Sequence, residues 1–158
     1  MKRVIASAVI GAAAIFGGAG IFDDNTVRGD SGEILEGGGL GVFVMQTGDC
    51  FNVPDGLQVV SIEAVPCFDL HDAEVYAIFE IEGSAYPGDD AIGSATDLGC
   101  YERFQGFVGH AYETSVLDIY SLHPLEDGWV ELEDREVVCS IVNYDGSKLI
   151  GSRAGAGI

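Results

Sequence analysis

Basic residues are scarce in this chain of 158 residues. It has seven Lys and Arg against 26 Asp and Glu, which gives a formal net charge of −19 at pH 7. Nucleic acids and anionic membrane surfaces attract proteins through clustered Lys and Arg, so the composition argues against both as partners. We prefer to interpret this charge as a solvated acidic surface that aids solubility. A basic protein partner, divalent cations or a salty habitat are the functional alternatives.

Closely spaced cysteines are also missing. The four cysteines include no Cys-x-x-Cys pair, so they do not resemble a zinc site, whose ligands come in close pairs. Their even number and the signs of export described below favour two disulfides. Of three possible connectivities we expect Cys50–Cys67, which would join two consecutive strands, and Cys100–Cys139, which would join a helix to a strand.

The N-terminus carries one long apolar run. Lys2 and Arg3 are followed by nineteen residues without a charge, Val4 to Phe22. A basic start before an apolar segment is typical of an export signal. Two outcomes stay open: cleavage after Gly20, or retention of residues 1–22 as a membrane anchor, since about 17–25 apolar residues span a bilayer. Either outcome places the rest of the chain outside the cytoplasm.

Two further regions follow the apolar run. Residues 23–41 are polar, acidic and rich in glycine, and they show no apolar period. This composition predicts a flexible tether. Residues 42–158 have the patterns of a folded extracytoplasmic domain, and no internal repeat is visible in them.

Strand patterns fill most of this domain. Runs rich in Val, Ile, Phe and Tyr predict strands at Val42–Val53, Gln58–Cys67, Glu74–Ile81, Val116–Ser121 and Glu136–Val142, with a short last strand at Lys148–Gly151. In the third strand, apolar residues alternate with acids, which predicts one buried and one solvated face. The buried face comprises Val75, Ala77, Phe79 and Ile81, and the solvated face comprises Glu74, Glu80 and Glu82.

A helix is predicted after the third strand. With Asp89 as N-cap, one helical face is lined by Ile92, Thr96, Cys100, Phe104 and Phe107. Gly93 and Gly99 each weaken such a helix by about 1 kcal/mol relative to Ala, so it depends on packing and on a disulfide through Cys100. The sequence therefore predicts an α+β fold: a twisted antiparallel sheet with one helix packed on it and two disulfides.

Chemistry-bearing side chains gather in two places. His71, Asp72 and Glu74 offer metal ligands, but no fourth ligand is apparent. We prefer a structural role, in which His71 and Glu74 order the entry to the third strand through hydrogen bonds. No nucleophile lies beside a base in a recognisable pattern. The sequence therefore assigns no catalytic residue, no cofactor and no metal ligand.

The second place surrounds Trp129, the only tryptophan. Acids crowd around it at Glu126, Asp127, Glu131, Glu133 and Asp134. Their order does not match a helix–loop–helix calcium site, which needs acids at alternate positions, a glycine and a distal Glu. We interpret this region as a solvated strand and turn with Trp129 packed over one edge. An ion or carbohydrate site is the alternative.

Taken together, several short runs resemble the septum-formation family, small extracytoplasmic domains of high-GC Gram-positive bacteria. These runs are Gly48-Asp49-Cys50-Phe51, Val65-Pro66-Cys67, His71 with Glu74-Val75, Tyr86-Pro87-Gly88, Cys100 with Phe104, and Trp129 with Asp134-Arg135 before Cys139. The resemblance makes His71, Glu74, Trp129, Asp134 and Arg135 structural motif residues. One departure is Glu133, where the family often has Gly, which predicts a different turn before the last long strand.

The resemblance implies a role near cell division or envelope biogenesis and no known reaction. We expect a non-catalytic envelope module that binds another protein, with the membrane contacted through the N-terminal segment only and no nucleic acid bound. The alternatives are an extracytoplasmic sensor of a ligand or ion and, third, a hydrolase of wall polymers. The sequence does not indicate an oligomeric state.

Overall fold

The computed structural model describes residues 6–10, as backbone, and residues 20–158. Its elements are short except for one helix and three strands. In chain order they are β1 (Ala6–Ile10), β2 (Val27–Arg28), β3 (Ile34–Glu36), β4 (Gly38–Gly41), a 3₁₀ turn (Val42–Val44), β5 (Cys50–Asn52), β6 (Ser61–Val65), β7 (Ala73–Glu80), α1 (Asp89–Val108), a second 3₁₀ turn (Tyr112–Thr114), β8 (Leu117–Pro124), α2 (Glu126–Glu131) and β9 (Glu136–Asn143).

Seven of these strands form one sheet, in the order β1-β8-β9-β7-β5-β6-β4. Every neighbouring pair is antiparallel except β1 and β8, which run parallel. Strands β2 and β3 form a separate antiparallel ribbon. Helix α1 packs against β7 and β8. The predicted α+β fold, a mostly antiparallel sheet with one main helix, is confirmed.

The predicted strands differ most from the structure at the two ends of the domain. Val42–Val53 is not one strand, because it starts as a 3₁₀ turn and becomes extended only at β5. Gly48, with a φ of 95°, turns the chain between the two parts. At the other end, the predicted strand Lys148–Gly151 is reduced to a single bridge between Leu149 and His71.

The predicted flexible tether of residues 23–41 is wrong. Strand β4 pairs with β6, and Leu40 is fully buried. The guanidinium of Arg28 binds Asp49 through two hydrogen bonds, from Nη1 to Oδ1 at 2.7 Å and from Nη2 to Oδ2 at 3.0 Å. A Cβ added at Gly37 would lie 2.6 Å from the carbonyl oxygen of Ala64. The glycines that suggested flexibility therefore allow two segments to approach closely.

Helix α1 begins at Asp89, with Gly88 rather than Asp89 as its N-cap. The predicted apolar face is largely the observed one: it buries Ile92, Thr96, Cys100 and Phe104, with Val108 taking the last place, while Phe107 is partly buried. Gly99 has a packing role, because a Cβ there would clash with the ring of Phe79. The glycine that weakens the isolated helix thus lets the helix lie close to the sheet.

Strand β7 does not keep its predicted alternation. Its register against β9 shifts between Val75 and Ala77, as at a β-bulge. Val75 therefore packs in the core on the side away from α1, whereas Ala77 and Phe79 pack on the helix side. Glu74, predicted to face solvent, is only 1% exposed. The bulge explains the first difference, since one extra residue exchanges the faces of everything that follows. Glu74 precedes the bulge, and its carboxylate is covered by Ser152 and Arg153 of the C-terminal segment.

Two disulfides tie these layers together. Cys50–Cys67 joins β5 to the turn after β6, and Cys100–Cys139 joins α1 to β9. They close loops with sequence separations of 17 and 39 residues. The predicted connectivity is confirmed.

The predicted signal or anchor of residues 1–22 lies partly outside the described residues. Within the described part of the chain, no helix has both the length and the apolar character needed to span a membrane. Residues 6–10 form the edge strand β1. Ile21 is buried, and the ring of Phe22 stacks on that of Phe43. The packed domain therefore starts at about Ile21 and not at residue 42.

Candidate functional site

Cys50, Cys67 and Glu74 gather at the first disulfide, Asp49 bonds to β7 next to them through its carbonyl, and His71 lies two residues before β7; we call these five residues the disulfide corner. Cys50 faces Glu74 across the β5–β7 pair. Cys50 is buried, Cys67 is partly exposed, and the Glu74 carboxylate lies within 4.8 Å of both sulfurs.

Both oxygens of the Glu74 carboxylate have partners from the C-terminal segment. Oε1 accepts a hydrogen bond from the Ser152 hydroxyl, and Oε2 accepts one from the backbone N–H of Arg153 at 2.6 Å. Hydrogen bonds to an ionised carboxylate are stronger than neutral ones. Glu74 therefore fastens residues 152–153 to the sheet.

His71 is fully buried just before β7. Its Nδ1 lies 2.9 Å from the carbonyl oxygen of Asp69, within the turn that precedes the strand. Its backbone exchanges two hydrogen bonds with Leu149. This geometry agrees with a turn-ordering function of His71, which stays a prediction.

His71, Asp72 and Glu74 do not converge as a ligand set. Among the described residues, the one group of three or more potential ligands that gathers consists of Cys50, Cys67 and Glu74, and its two sulfurs are bonded to each other. Asp72 points elsewhere: its Oδ1 lies 2.7 Å from Lys148 Nζ, and its Oδ2 accepts from the backbone N–H of Val53.

Glu80, Trp129, Asp134, Arg135 and Glu136 form a second group, which we call the tryptophan corner. Trp129 is 1% exposed. The Arg135 guanidinium lies 3.6 Å from the centroid of its ring, a cation–π contact. Arg135 also donates hydrogen bonds to the carbonyls of Gly83, Trp129 and Asp134. The structure thus brings three of the predicted motif residues, Trp129, Asp134 and Arg135, into one contact.

The predicted solvated strand around Trp129 is instead the short helix α2. Its first turn carries Glu126 and Asp127, which are favourable beside the positive end of the helix dipole. The backbone N–H of Trp129 donates to the carbonyl of Leu125, and Tyr86 packs edge-on against the indole at 5.9 Å between centroids. Trp129 is therefore an anchor inside the domain and does not cover an exposed edge.

Two acids beside this anchor, Asp134 and Glu136, each have a buried carboxylate oxygen without a partner among the described residues, and the exposed Glu80 lies next to them. Asp134 is 3% exposed; its Oδ1 accepts from the backbone N–H of Glu136, while Oδ2 has no partner among the described residues. Oε1 of Glu136 is likewise buried and unpartnered there, and Glu80 stands opposite Glu136 in the β7–β9 pair. Burial raises the pKa of Asp134 to about 6 and that of Glu136 to about 7, with Glu80 adding repulsion in both cases.

An open groove of about 590 Å³ runs between the start of α1 and α2, and we call it the acidic groove. Its lining residues are Gln58, Asp89, Leu125, Glu126, Asp127, Val130 and Glu131. Four of them are acids, none is basic, and Val130 is 66% exposed in their midst. The groove is thus an anionic surface that also exposes an aliphatic side chain, and the buried Trp129 anchors the helix α2 that carries most of it.

Sequence reasoning missed the partners that make these corners. Arg28 and Ser152 lie far along the chain from Asp49 and Glu74, and nothing local signals these pairs. Glu80 and Glu136 meet only through the register of two strands. The sequence predicts only a helix cap at Asp89, and its place in the acidic groove depends on how α1 and α2 are arranged.

Comparisons with known proteins give one match. A model of the septum-formation family matches residues 44–156, which covers every motif residue of both corners. No curated protein and no solved structure is significantly similar to the chain. Two disulfides within such a domain are consistent with an extracytoplasmic location.

Proposed function

This chain belongs to the septum-formation family, and on that premise we propose that it is a non-catalytic, extracytoplasmic protein-binding module of the cell-division apparatus. Its acidic groove receives a basic segment of another envelope protein. The N-terminal segment either anchors the module to the membrane or is removed during export.

The acidic groove is the observation that supports this proposal. Asp89, Glu126, Asp127 and Glu131 present negative charge around an exposed Val130. Lys and Arg have aliphatic stems and charged ends, so a basic segment would match both parts of the surface. The net charge of −19 would add long-range attraction for such a segment. Association should therefore weaken as salt rises, because exposed charges are screened within about 10 Å at 0.1 M.

The anchor would hold the module close to the membrane. Since Ile21 is buried and residues 24–41 belong to the domain, the described residues from 20 to 41 provide no free tether between an anchor and the folded part. This geometry suits a protein that recruits or regulates other membrane-bound proteins.

A charge-reversed groove tests the proposal. Glu126→Lys with Glu131→Lys changes the net charge by four, and both side chains are exposed. Glu36→Lys with Glu102→Lys makes the same change at exposed positions outside the groove and serves as the control. A fluorescent fusion that folds outside the cytoplasm would report septal enrichment, and a photo-crosslinking residue in place of Val130 would capture the partner.

We expect the groove variant to lose septal enrichment and the Val130 crosslink by at least about tenfold, while the control keeps both. Equal behaviour of the two variants would remove the groove as the binding surface. Hydrolysis of wall polymer by the purified protein, or stoichiometric binding of a small ligand or ion, would favour the enzyme or the sensor over a protein-binding module.

A further inference from the structure

The two edges of the main sheet are closed in different ways. At one edge, β4 is a short strand with the sequence Gly-Gly-Leu-Gly. Residues 23–25 cover it: the N–H of Asn25 donates to the carbonyl of Gly39, and the N–H of Gly41 donates to that of Asp23. This cover belongs to the packed domain and stays with it whatever happens to the N-terminal segment.

At the other edge, β1 covers β8, and with β1 in place β8 has the character of an interior strand. Seven of its eight residues are buried, and His123 alone is partly exposed. Leu117 and Ile119 pack on the helix side, and Tyr120 and Leu122 pack on the opposite side. Natural edge strands are usually short, charged or interrupted, because an open edge pairs with other chains. A long strand buried on both faces therefore requires a neighbour.

In this structure the neighbour of β8 is β1. The two strands are parallel, with Ala6 opposite Tyr120 and Ile10 opposite Pro124. Strand β1 lies in the segment that the sequence marks as an export signal or anchor. The packed domain begins at Ile21, one residue after the predicted cleavage point, so cleavage after Gly20 or insertion into a membrane would remove β1 and leave the rest of the domain complete.

We propose that the β8 edge, residues Tyr120–Pro124, is a strand-accepting site in the exported protein. Its occupant is an extended segment of a partner protein, rich in small and branched aliphatic residues, which pairs in parallel as β1 does. Addition of a strand to a sheet edge is a general mode of peptide recognition, in which main-chain hydrogen bonds supply affinity. This site shares no residue with the acidic groove, and the two proposals share only the premise of export.

The direction of β1 argues for a partner over a second copy. A twofold dimer that joined two β8 edges would pair them antiparallel, since each strand must present the same residues to the other. The edge instead holds a parallel strand. The sequence of that strand, Ala-Ser-Ala-Val-Ile, shows what the edge accepts: a short run without charge.

The test uses the protein recovered from the cell envelope, whose mass shows whether residues 6–10 are retained. The probe is a synthetic peptide Ala-Ser-Ala-Val-Ile flanked by lysines for solubility. The control peptide has Pro in place of the central Ala, which removes an N–H and disfavours a strand. Amide hydrogen exchange of the segment that contains β8 is measured with each peptide.

We expect a mass that lacks the first twenty residues, or a chain retained in the membrane, and rapid exchange along the edge of β8. Saturating probe peptide should slow this exchange by at least about tenfold, and the proline peptide should not. Equal effects of the two peptides, or none, would overturn the proposal. So would an edge already protected in the envelope protein, by its own residues 6–10 or in a dimer seen by light scattering. None of these outcomes depends on the acidic groove.

Discussion

The disulfide corner and the tryptophan corner both bury carboxylates, and they treat them differently. In the disulfide corner, Asp49 holds Arg28 and also accepts the backbone N–H of Gln46, while both oxygens of Glu74 are bonded. In the tryptophan corner, one oxygen each of Asp134 and Glu136 has no partner among the described residues.

The difference shows that burial alone does not decide whether an acid stabilises a fold. A buried carboxylate whose oxygens are all hydrogen-bonded stabilises the contact between the segments it joins. If it is removed, its former partners stay buried without a hydrogen bond or an opposite charge, which is costly. A buried carboxylate that lacks partners disfavours its own charge, and its pKa rises. The first corner should therefore lose stability on neutralisation, and the second should gain it.

The largest effect should follow Asp49→Asn. The guanidinium of Arg28, whose side chain is 15% exposed, would keep Asp24 but lose the charge of Asp49. Breaking a buried ion pair typically costs about 3–5 kcal/mol, and the second acid reduces this to about 2–4 kcal/mol. Urea unfolding of the oxidised protein measures it, with the exposed Glu36→Gln as control. A loss below about 1 kcal/mol would mean that the pair is not a fastener.

Glu74→Gln should have the next largest effect, a loss of about 1–3 kcal/mol. The amide can accept only through one oxygen, so either Ser152 or the N–H of Arg153 loses its acceptor. Release of the C-terminal segment should also quicken its proteolysis. Limited proteolysis with mass spectrometry reports this cut, and Glu82→Gln, an exposed acid, is the matched control. An unchanged cleavage rate would contradict the fastening function of Glu74.

The sequence predicted the parts of the fold that depend on residues close together in the chain, and it failed where residues far apart in the chain come into contact. The helix and four strands could be read from local periodicity, and the disulfides from the order of strands and helix. The β-bulge at Val75–Ala77 could not, because alternation in one strand does not show the register of its neighbour. The glycine-rich segment misled for a similar reason: composition does not distinguish glycine for flexibility from glycine for close approach, as at Gly37.

The two corners were foreseeable only in part. Motif resemblance singled out His71, Glu74, Trp129, Asp134 and Arg135, and the structure places each of them in one of the two corners. The motif resemblance did not indicate the partners of Asp49 and Glu74, since Arg28 and Ser152 come from opposite ends of the chain. Whether a buried carboxylate finds hydrogen-bond donors depends on the tertiary structure, so the spacing of residues in the sequence does not predict it.

Glu136→Gln should raise stability near pH 8. The pKa of Glu136 is raised from 4.5 to about 7, and for a fully shielded carboxylate this would lower the free energy of unfolding at high pH by about 3 kcal/mol. Partial exposure of Glu136 reduces the loss to on the order of 1–2 kcal/mol. The folded pKa lies above the unfolded one, so the wild type should lose stability as pH rises from about 4.5 to about 7.

Urea unfolding at a series of pH values checks this prediction. The gain from Glu136→Gln should vanish below about pH 4.5, where the wild-type carboxyl is protonated in both states. Glu131→Gln, an exposed acid of α2, should leave the pH profile unchanged. A gain that is equal at pH 4 and pH 8 would show that packing, and not charge, separates the two side chains.

The smallest expected effect concerns Glu133, at the turn between α2 and β9. Its φ of 55° lies in the left-handed region, which costs a residue with a side chain about 1–2 kcal/mol. Glycine adopts this conformation without that cost, and whether the turn differs from that of other family members stays a prediction. Glu133→Gly should relieve this strain but adds freedom to the unfolded chain, for a net gain of about 0.5 kcal/mol.

Glu133→Asn, which tolerates the same conformation, should gain a similar amount, whereas the β-branched Glu133→Val should lose about 1 kcal/mol. Thermal unfolding of the three variants decides the matter, because a loss of charge alone would move all three in one direction.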